Sequence, residues 1–192
     1  MNELTRRRKP ALAAGGIFRA WVVGAWYPAT GISAAAWCLE RIGQPSAGLC
    51  NAKASKGRHS DSWRATAGGF ESLLESLPKG ARIEVRCSNE TAALLLRRLA
   101  EGGWKTEDLV LADGLTKVAA YDWWLGILKA GRSKKLAVMV IVEPANARRS
   151  AGIFRQLKVM ARQAQERRAR GEVEDEEVFL IGSVVGDGDE AD

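Results

Sequence analysis

The chain has 192 residues, 46% hydrophobic and 27% charged, the balance of an ordinary globular domain large enough to bury a core. No apolar run approaches the roughly 20 residues needed to span a membrane, which excludes a transmembrane helix. Nine acids and no Lys or Arg lie from Gly171 onward, leaving 14 acids against 29 bases in residues 1–170, a body charge of +15. Such a sign imbalance points to a polyanionic partner and divides the chain into a basic body and an acidic tail, 171–192.

Residues 1–16 read as a disordered basic arm, with Arg6, Arg7, Arg8 and Lys9 stopped by Pro10. Its short, Gly-rich apolar part ends at Arg19, so no signal peptide is expected. Ile17–Tyr27 is apolar at alternate positions on both faces, the mark of a central strand covered on two sides. Gly24 interrupts it, and a glycine inside a strand marks a bulge or the close approach of another backbone.

A turn at residues 28–31 leads to a second strand, Ile32–Arg41, and a turn at 43–45 to a third at about 47–54. Short turns make these three an antiparallel meander. A polar loop (KASKGRHS) follows. Ser60 or Asp61 then caps a helix in which Trp63, Ala67, Phe70, Leu74 and Leu77 recur at helical spacing, and Pro78 with Gly80 ends it. Residues 81–87 form a fourth strand, and Asn89 caps a second helix running to Leu99. The helix before the fourth strand makes a crossover, so that strand lies parallel to the first.

After GGWKTED, a third helix is expected over 115–130 and a fifth strand over 136–142. A last helix spans 146–170, with Ile153, Leu157, Met160 and Ala164 inward and arginines outward. Cys38, Cys50 and Cys87 are odd in number, widely spaced and without metal-ligand spacing. They read as reduced, buried thiols of a cytoplasmic protein. Residues 178–185 (VFLIGSVV) are an apolar island in the acidic tail. Three roles suit them: an added edge strand, a protein-docking segment, or a fold-back that lays acid on the basic helix.

Several segments resemble one family. Residues 102–108 (GGWKTED) are similar to its GWKTAD segment, and Asp122-Trp123 to the Asp-Leu-Trp of its following helix. Ser62-Trp63-Arg64 stands where it has Asn-Asn-Arg, and residues 72–77 (SLLESL) resemble its Val-Ala-Leu-Glu-Ala-Leu. With the element order, these identify residues 17 to about 165 as similar to ribonuclease H type I. The resemblance implies an α/β, ribonuclease H-like domain over 17–170, a five-stranded mixed sheet of order 3-2-1-4-5 with helices on both faces.

The family's chemistry rests on four carboxylates holding two magnesium ions. Carried over position by position, these fall on Gly24, Thr66, Ser88 and Ile153, none of them acidic. Register shifts do not restore them, because no acid lies between Glu3 and Glu40 or between Glu143 and Glu166. Glu71 lies about 140° round the helix from Thr66. His59, the only histidine, reads as a loop residue.

The resemblance therefore implies a nucleic-acid binder, of RNA/DNA hybrid or duplex RNA, with no catalytic or metal-ligand set and no cofactor. Candidate contacts are Lys53, Lys56, Arg58, Arg64, Lys105, Arg148, Arg149 and Arg155, with Trp26 and Tyr27 as a stacking surface. Two alternatives stand beside it. One is an active hybrid ribonuclease with displaced ligands, which would use magnesium. The other is a protein-interaction scaffold, with the acidic tail as a contact for a protein partner.

Overall fold

A computed structural model describes residues 16–56, 62–111, 116–148, 150–172 and 177–182, with backbone alone at 44–47, 56 and 177–182. The strands are β1 (Ile17–Tyr27), β2 (Ile32–Arg41), β3 (Gln44–Lys56), β4 (Arg82–Cys87), β5 (Ala137–Val142) and β6 (Glu177–Gly182). The helices are α1 (Ser62–Ser76), α2 (Glu90–Glu101), α3 (Tyr121–Lys134) and α4 (Ala151–Ala169), with a single 3-10 turn at Thr106–Leu109. They form one sheet in the order β5-β4-β1-β2-β3-β6.

The expected mixed sheet, 3-2-1-4-5, is present. β2 runs antiparallel to β1 and β3, while β4 is parallel to β1 and β5 to β4. β6 extends it, pairing antiparallel with β3 from Ala47↔Gly182 to Ala52↔Glu177. Of the three roles open to the apolar island, the edge strand is the one adopted. Part of the expected tail thereby belongs to the sheet.

The two-faced pattern of β1 accounts for the layering. Phe18, Ala20 and Val22 enter one core with α1, α2 and α3, while Trp21 and Val23 enter a second with α4. Both sets are buried. Lys134, at the end of α3, donates to the carbonyls of Leu74, Glu75 and Leu77, where α1 ends. This joins α1 to α3.

Several boundaries differ from expectation. α3 begins at Tyr121, not near 115, because the preceding chain pairs with itself: Val110 bridges Lys117, and Val118 N–H donates to the Leu109 carbonyl. Ala120 then takes a left-handed conformation, φ 57°, immediately before the helix. α4 begins at Ala151 because the chain before it forms turns closed by Ala147 N–H to Pro144 O and Ser150 N–H to Ala147 O. The arm over 1–15, the caps Ser60 and Asp61, and Arg58, His59 and Arg149 lie outside the described residues.

The cysteine reading requires correction. Cys38 and Cys50 are joined in a disulfide, with 4.1 Å between Cα atoms; Cys87 alone is free and buried. The two partners stand directly opposite in the β2–β3 register, a relation that spacing along the chain does not reveal. Among the described residues, no helix is long and apolar enough to cross a membrane.

Candidate nucleic-acid interface

β4 and β5 end level with Val22 of β1, at Cys87 and Val142. Residues 23–27 of β1 therefore project beyond them with β2 and β3, leaving a crevice at the carboxyl ends of the parallel strands. Ligands of open α/β sheets commonly bind in such a place. Gly24 lies at this crevice. A Cβ there would overlap the backbone nitrogen of Thr66 and lie 2.6 Å from its Oγ1 and 2.7 Å from the Ala65 carbonyl carbon. The close approach expected at Gly24 is the backbone of α1 itself.

Thr66 is buried, and its hydroxyl donates to the Ser62 carbonyl at 2.8 Å. Ser88 is exposed just past β4, and its neighbour Asn89 caps α2 by accepting from Ala92 N–H at 3.1 Å. Asn89 Nδ2 also reaches Ser62 Oγ at 3.5 Å, tying the start of α1 to the end of β4. Ile153 is buried in the α4 core.

Of the four positions only Gly24 and Thr66 meet, and they meet by exclusion of space. A glycine, a hydrogen-bonded threonine, an exposed serine and a buried isoleucine do not fit a hard divalent ion, which requires anionic oxygen ligands. Among the described residues no three His, Cys, Asp or Glu side chains come together elsewhere.

The acids on the α4 side of the sheet are engaged. Arg19 donates to Glu40 at 3.1 Å and Glu84 at 2.9 Å. Arg86 donates to Glu84 at 2.6 Å and Glu143 at 3.1 Å. Ser150 Oγ donates to Glu143 at 3.0 Å and accepts from Trp21 Nε1 at 3.0 Å. This chain of bonds fixes the start of α4 to three strands. Burial opposes ionisation of Glu84, but the hydrogen bonds and charges of Arg86 and Arg19 outweigh it and hold the carboxyl below its ordinary range. Sequence reasoning did not identify this network, although Arg19, Glu84 and Arg86 occupy charged positions inside strands.

The candidate contacts divide by location. Lys53 is exposed near the end of β3, and Arg64 lies in the first turn of α1, its guanidinium 5.5 Å from the Trp63 ring centroid. Arg148 and Arg155 are exposed beside and within the start of α4, on the opposite face of the sheet. Lys53 and Arg64 thus share the face of the sheet on which Gly24 meets α1, Arg148 and Arg155 lie on the α4 face, and the backbone of Lys56 ends β3. Lys105 lies apart from them. It adjoins Trp104, whose indole donates to the Leu136 carbonyl at 3.2 Å, and so stands at the opposite end of the sheet, where β5 begins.

The stacking pair also separates. Tyr27 packs under α4, where burial raises its pKa, with Arg162 lowering and Glu166 raising it. Trp26, paired with Ser33 on the α1 side, remains half-buried at the crevice.

No protein-family model matches the sequence, and no curated protein matches it. Solved structures do. A chain of the foamy viral protease-reverse transcriptase, in its complex with dsDNA, superposes with a TM-score of 0.51 at 10% identity, over 78% of this chain and 92% of that one. In the complex with RNA/DNA hybrid the TM-score is 0.50 at 12% identity, over 85% of this chain and 22% of that chain. LC9-RNase H1, a type 1 RNase H with the type 2 active-site motif, gives 0.50 at 11% identity, over 91% of this chain and 81% of that one. Sheet order, helix placement and these superpositions agree: the chain has the ribonuclease H-like fold.

Proposed function

We propose that this protein binds nucleic acid at the crevice of a ribonuclease H-like fold without performing two-metal hydrolysis. One observation carries the reading: the space beside β1 that a carboxylate would need is filled by the backbone of α1 at Thr66. Binding is supported by the +15 body charge, by the exposed Lys53, Arg148 and Arg155 with Arg64 at the start of α1, and by similar structures determined in complex with dsDNA or RNA/DNA hybrid. RNA/DNA hybrid and duplex RNA are the preferred ligands in this reading, because their wide minor groove offers 2′-hydroxyls beside accessible phosphates.

The hydrolase alternative with displaced ligands gains no support from the acids nearby. Glu84 and Glu143 are bound by arginines, and Glu71 lies against α3. A cytoplasmic location belongs to the same proposal. A glutathione-rich compartment keeps most disulfides open, so Cys38–Cys50 found oxidised in rapidly quenched cells would place the protein elsewhere.

The test is binding and cleavage of matched hybrid, duplex RNA, duplex DNA and single strands, with magnesium or manganese, across a salt series. Binding that weakens steeply with salt and leaves every strand intact supports the proposal. Metal-dependent cleavage, or salt-insensitive absence of binding, contradicts it.

A further inference from the structure

A groove of about 180 Å³ lies on the α1 side of the sheet, next to the crevice. Its floor is Ser33 and Lys53 with Ser55, the two hydroxyls 3.4 Å apart. Gly68 and Glu71 of α1 form one wall, and Trp123 of α3 closes it. Two glycines shape it. A Cβ on Gly68 would lie 2.8 Å from the Trp123 ring, so the indole rests on bare helix backbone. A Cβ on Gly126 of α3 would overlap Glu71 Oε1, so the carboxylate nests against α3.

Glu71 is half-buried, yet among the described residues neither it nor Lys53 makes a hydrogen bond or an ion pair. Burial raises the Glu71 pKa, Glu75 adds to the rise, and Lys53 acts against it, so the ammonium and carboxylate feel each other across the groove. Glu71 and the exposed Lys53 thus leave an acceptor and a donor open to a ligand in the groove.

We infer that this groove binds one guanine base, stacked on Trp123, with Glu71 accepting from N1–H and the 2-amino group and Lys53 donating to O6. The volume falls below the roughly 300–1,000 Å³ of pockets for drug-sized ligands, which suits a single flat ring system. A carboxylate beside an ammonium complements an edge of two adjacent donors and one acceptor. Guanine alone among the four bases offers a carboxylate two adjacent donors beside an acceptor; adenine, cytosine and uracil offer it one donor group and pair with a single bond. Unpaired bases in single strands are read in this way, by stacking on an aromatic and hydrogen bonds to the base edge. Ala65 lines the groove and also touches Gly24, so a strand lying in the crevice reaches the groove within about one residue of helix. For the source of the base, a splayed nucleotide of a bound strand, the inference rests on the proposed function.

The test titrates the full-length protein with short uridine-rich RNA strands carrying one central guanine, adenine or cytosine, and separately with GMP and AMP. Wild type, Glu71→Gln and Lys53→Gln are compared after unfolding curves establish that the variants fold. The guanine strand is expected to bind about tenfold or more tightly than the others, as one bidentate pairing provides. Glu71→Gln should abolish that preference. GMP binding that Glu71→Gln abolishes, with no strand bound, supports the groove with a free nucleotide rather than a bound strand as its source. Strands bound equally whatever their central base, or a guanine preference that survives Glu71→Gln, overturns the groove assignment and leaves the nucleic-acid reading standing. Absence of both kinds of binding overturns the groove assignment, and hybrid and duplex binding measured beside it decides the nucleic-acid reading.

Discussion

Replacing Gly24 by alanine tests the packing on which the functional reading depends. Alanine in a strand normally gains about 0.5–1 kcal/mol over glycine, because less backbone entropy is lost. Here the added carbon would overlap Thr66 N and lie within 2.7 Å of the Ala65 carbonyl carbon, both helix backbone rather than the end of a flexible side chain. α1 does not slide aside easily. Its Phe70, Leu73 and Leu74 are fully buried, and a Cβ on Gly69 would itself stand 2.8 Å from Val22 Cγ1. Overpacking in such settings costs about 1–3 kcal/mol, more when backbone must move, so Gly24→Ala is expected at or above the upper end.

The assay is equilibrium denaturation with the m-value monitored. Gly152→Ala serves as control: nothing lies within 4 Å of its added Cβ, and helix propensity favours it by up to about 1 kcal/mol. A Gly24→Ala protein as stable as wild type, or more stable, would show that α1 does not occupy this space. Gly24→Asp should be at least as destabilised, with magnesium giving no rescue.

Three further outcomes follow from the same geometry. Glu84→Gln should cost about 1.5–3 kcal/mol at neutral pH, the range for hydrogen bonds to charged groups. Because the folded carboxyl is held below its ordinary range, that difference is present above the unfolded pKa and should close in acid, below about pH 4. Unfolding curves across pH that run parallel would refute it. Denatured, unreduced protein should show one reactive thiol and reduced protein three, while native Cys87, pushed up to about 12 by burial, should resist alkylation near neutral pH; three thiols without reductant would contradict the pairing. Deleting residues 173–192 removes a strand that sets Glu177 beside Ala52, one residue from Lys53. The deletion should tighten polyanion binding at low salt and change nothing at high salt, whereas equal affinity at all salt concentrations would remove the tail from the interface.

What the sequence revealed followed from local pattern. Two-faced alternation in Ile17–Tyr27 placed β1 in the middle of the sheet, and Gly24 within it signalled the contact with α1. The missing information was long-range. The disulfide depends on a β2–β3 register that pairs Cys38 with Cys50. The start of α3 depends on Val110 meeting Lys117 rather than on helix propensity. The groove is made by Gly68 and Gly126 on different helices, each unremarkable in its own segment and meaningful only once α1 and α3 are packed together. Lys105 joined the candidate contacts by resemblance, and the bond from Trp104 to Leu136 sets it at the far end of the sheet.

The central claim is binding without two-metal cleavage, and the most direct measurement incubates labelled RNA/DNA hybrid with the full-length protein and magnesium or manganese, following complex formation and strand integrity together. Retained hybrid that stays intact, with affinity falling steeply as salt rises, is the predicted result. Metal-dependent strand scission that co-purifies with the protein, and is lost on mutating one of its own acidic residues, would contradict it.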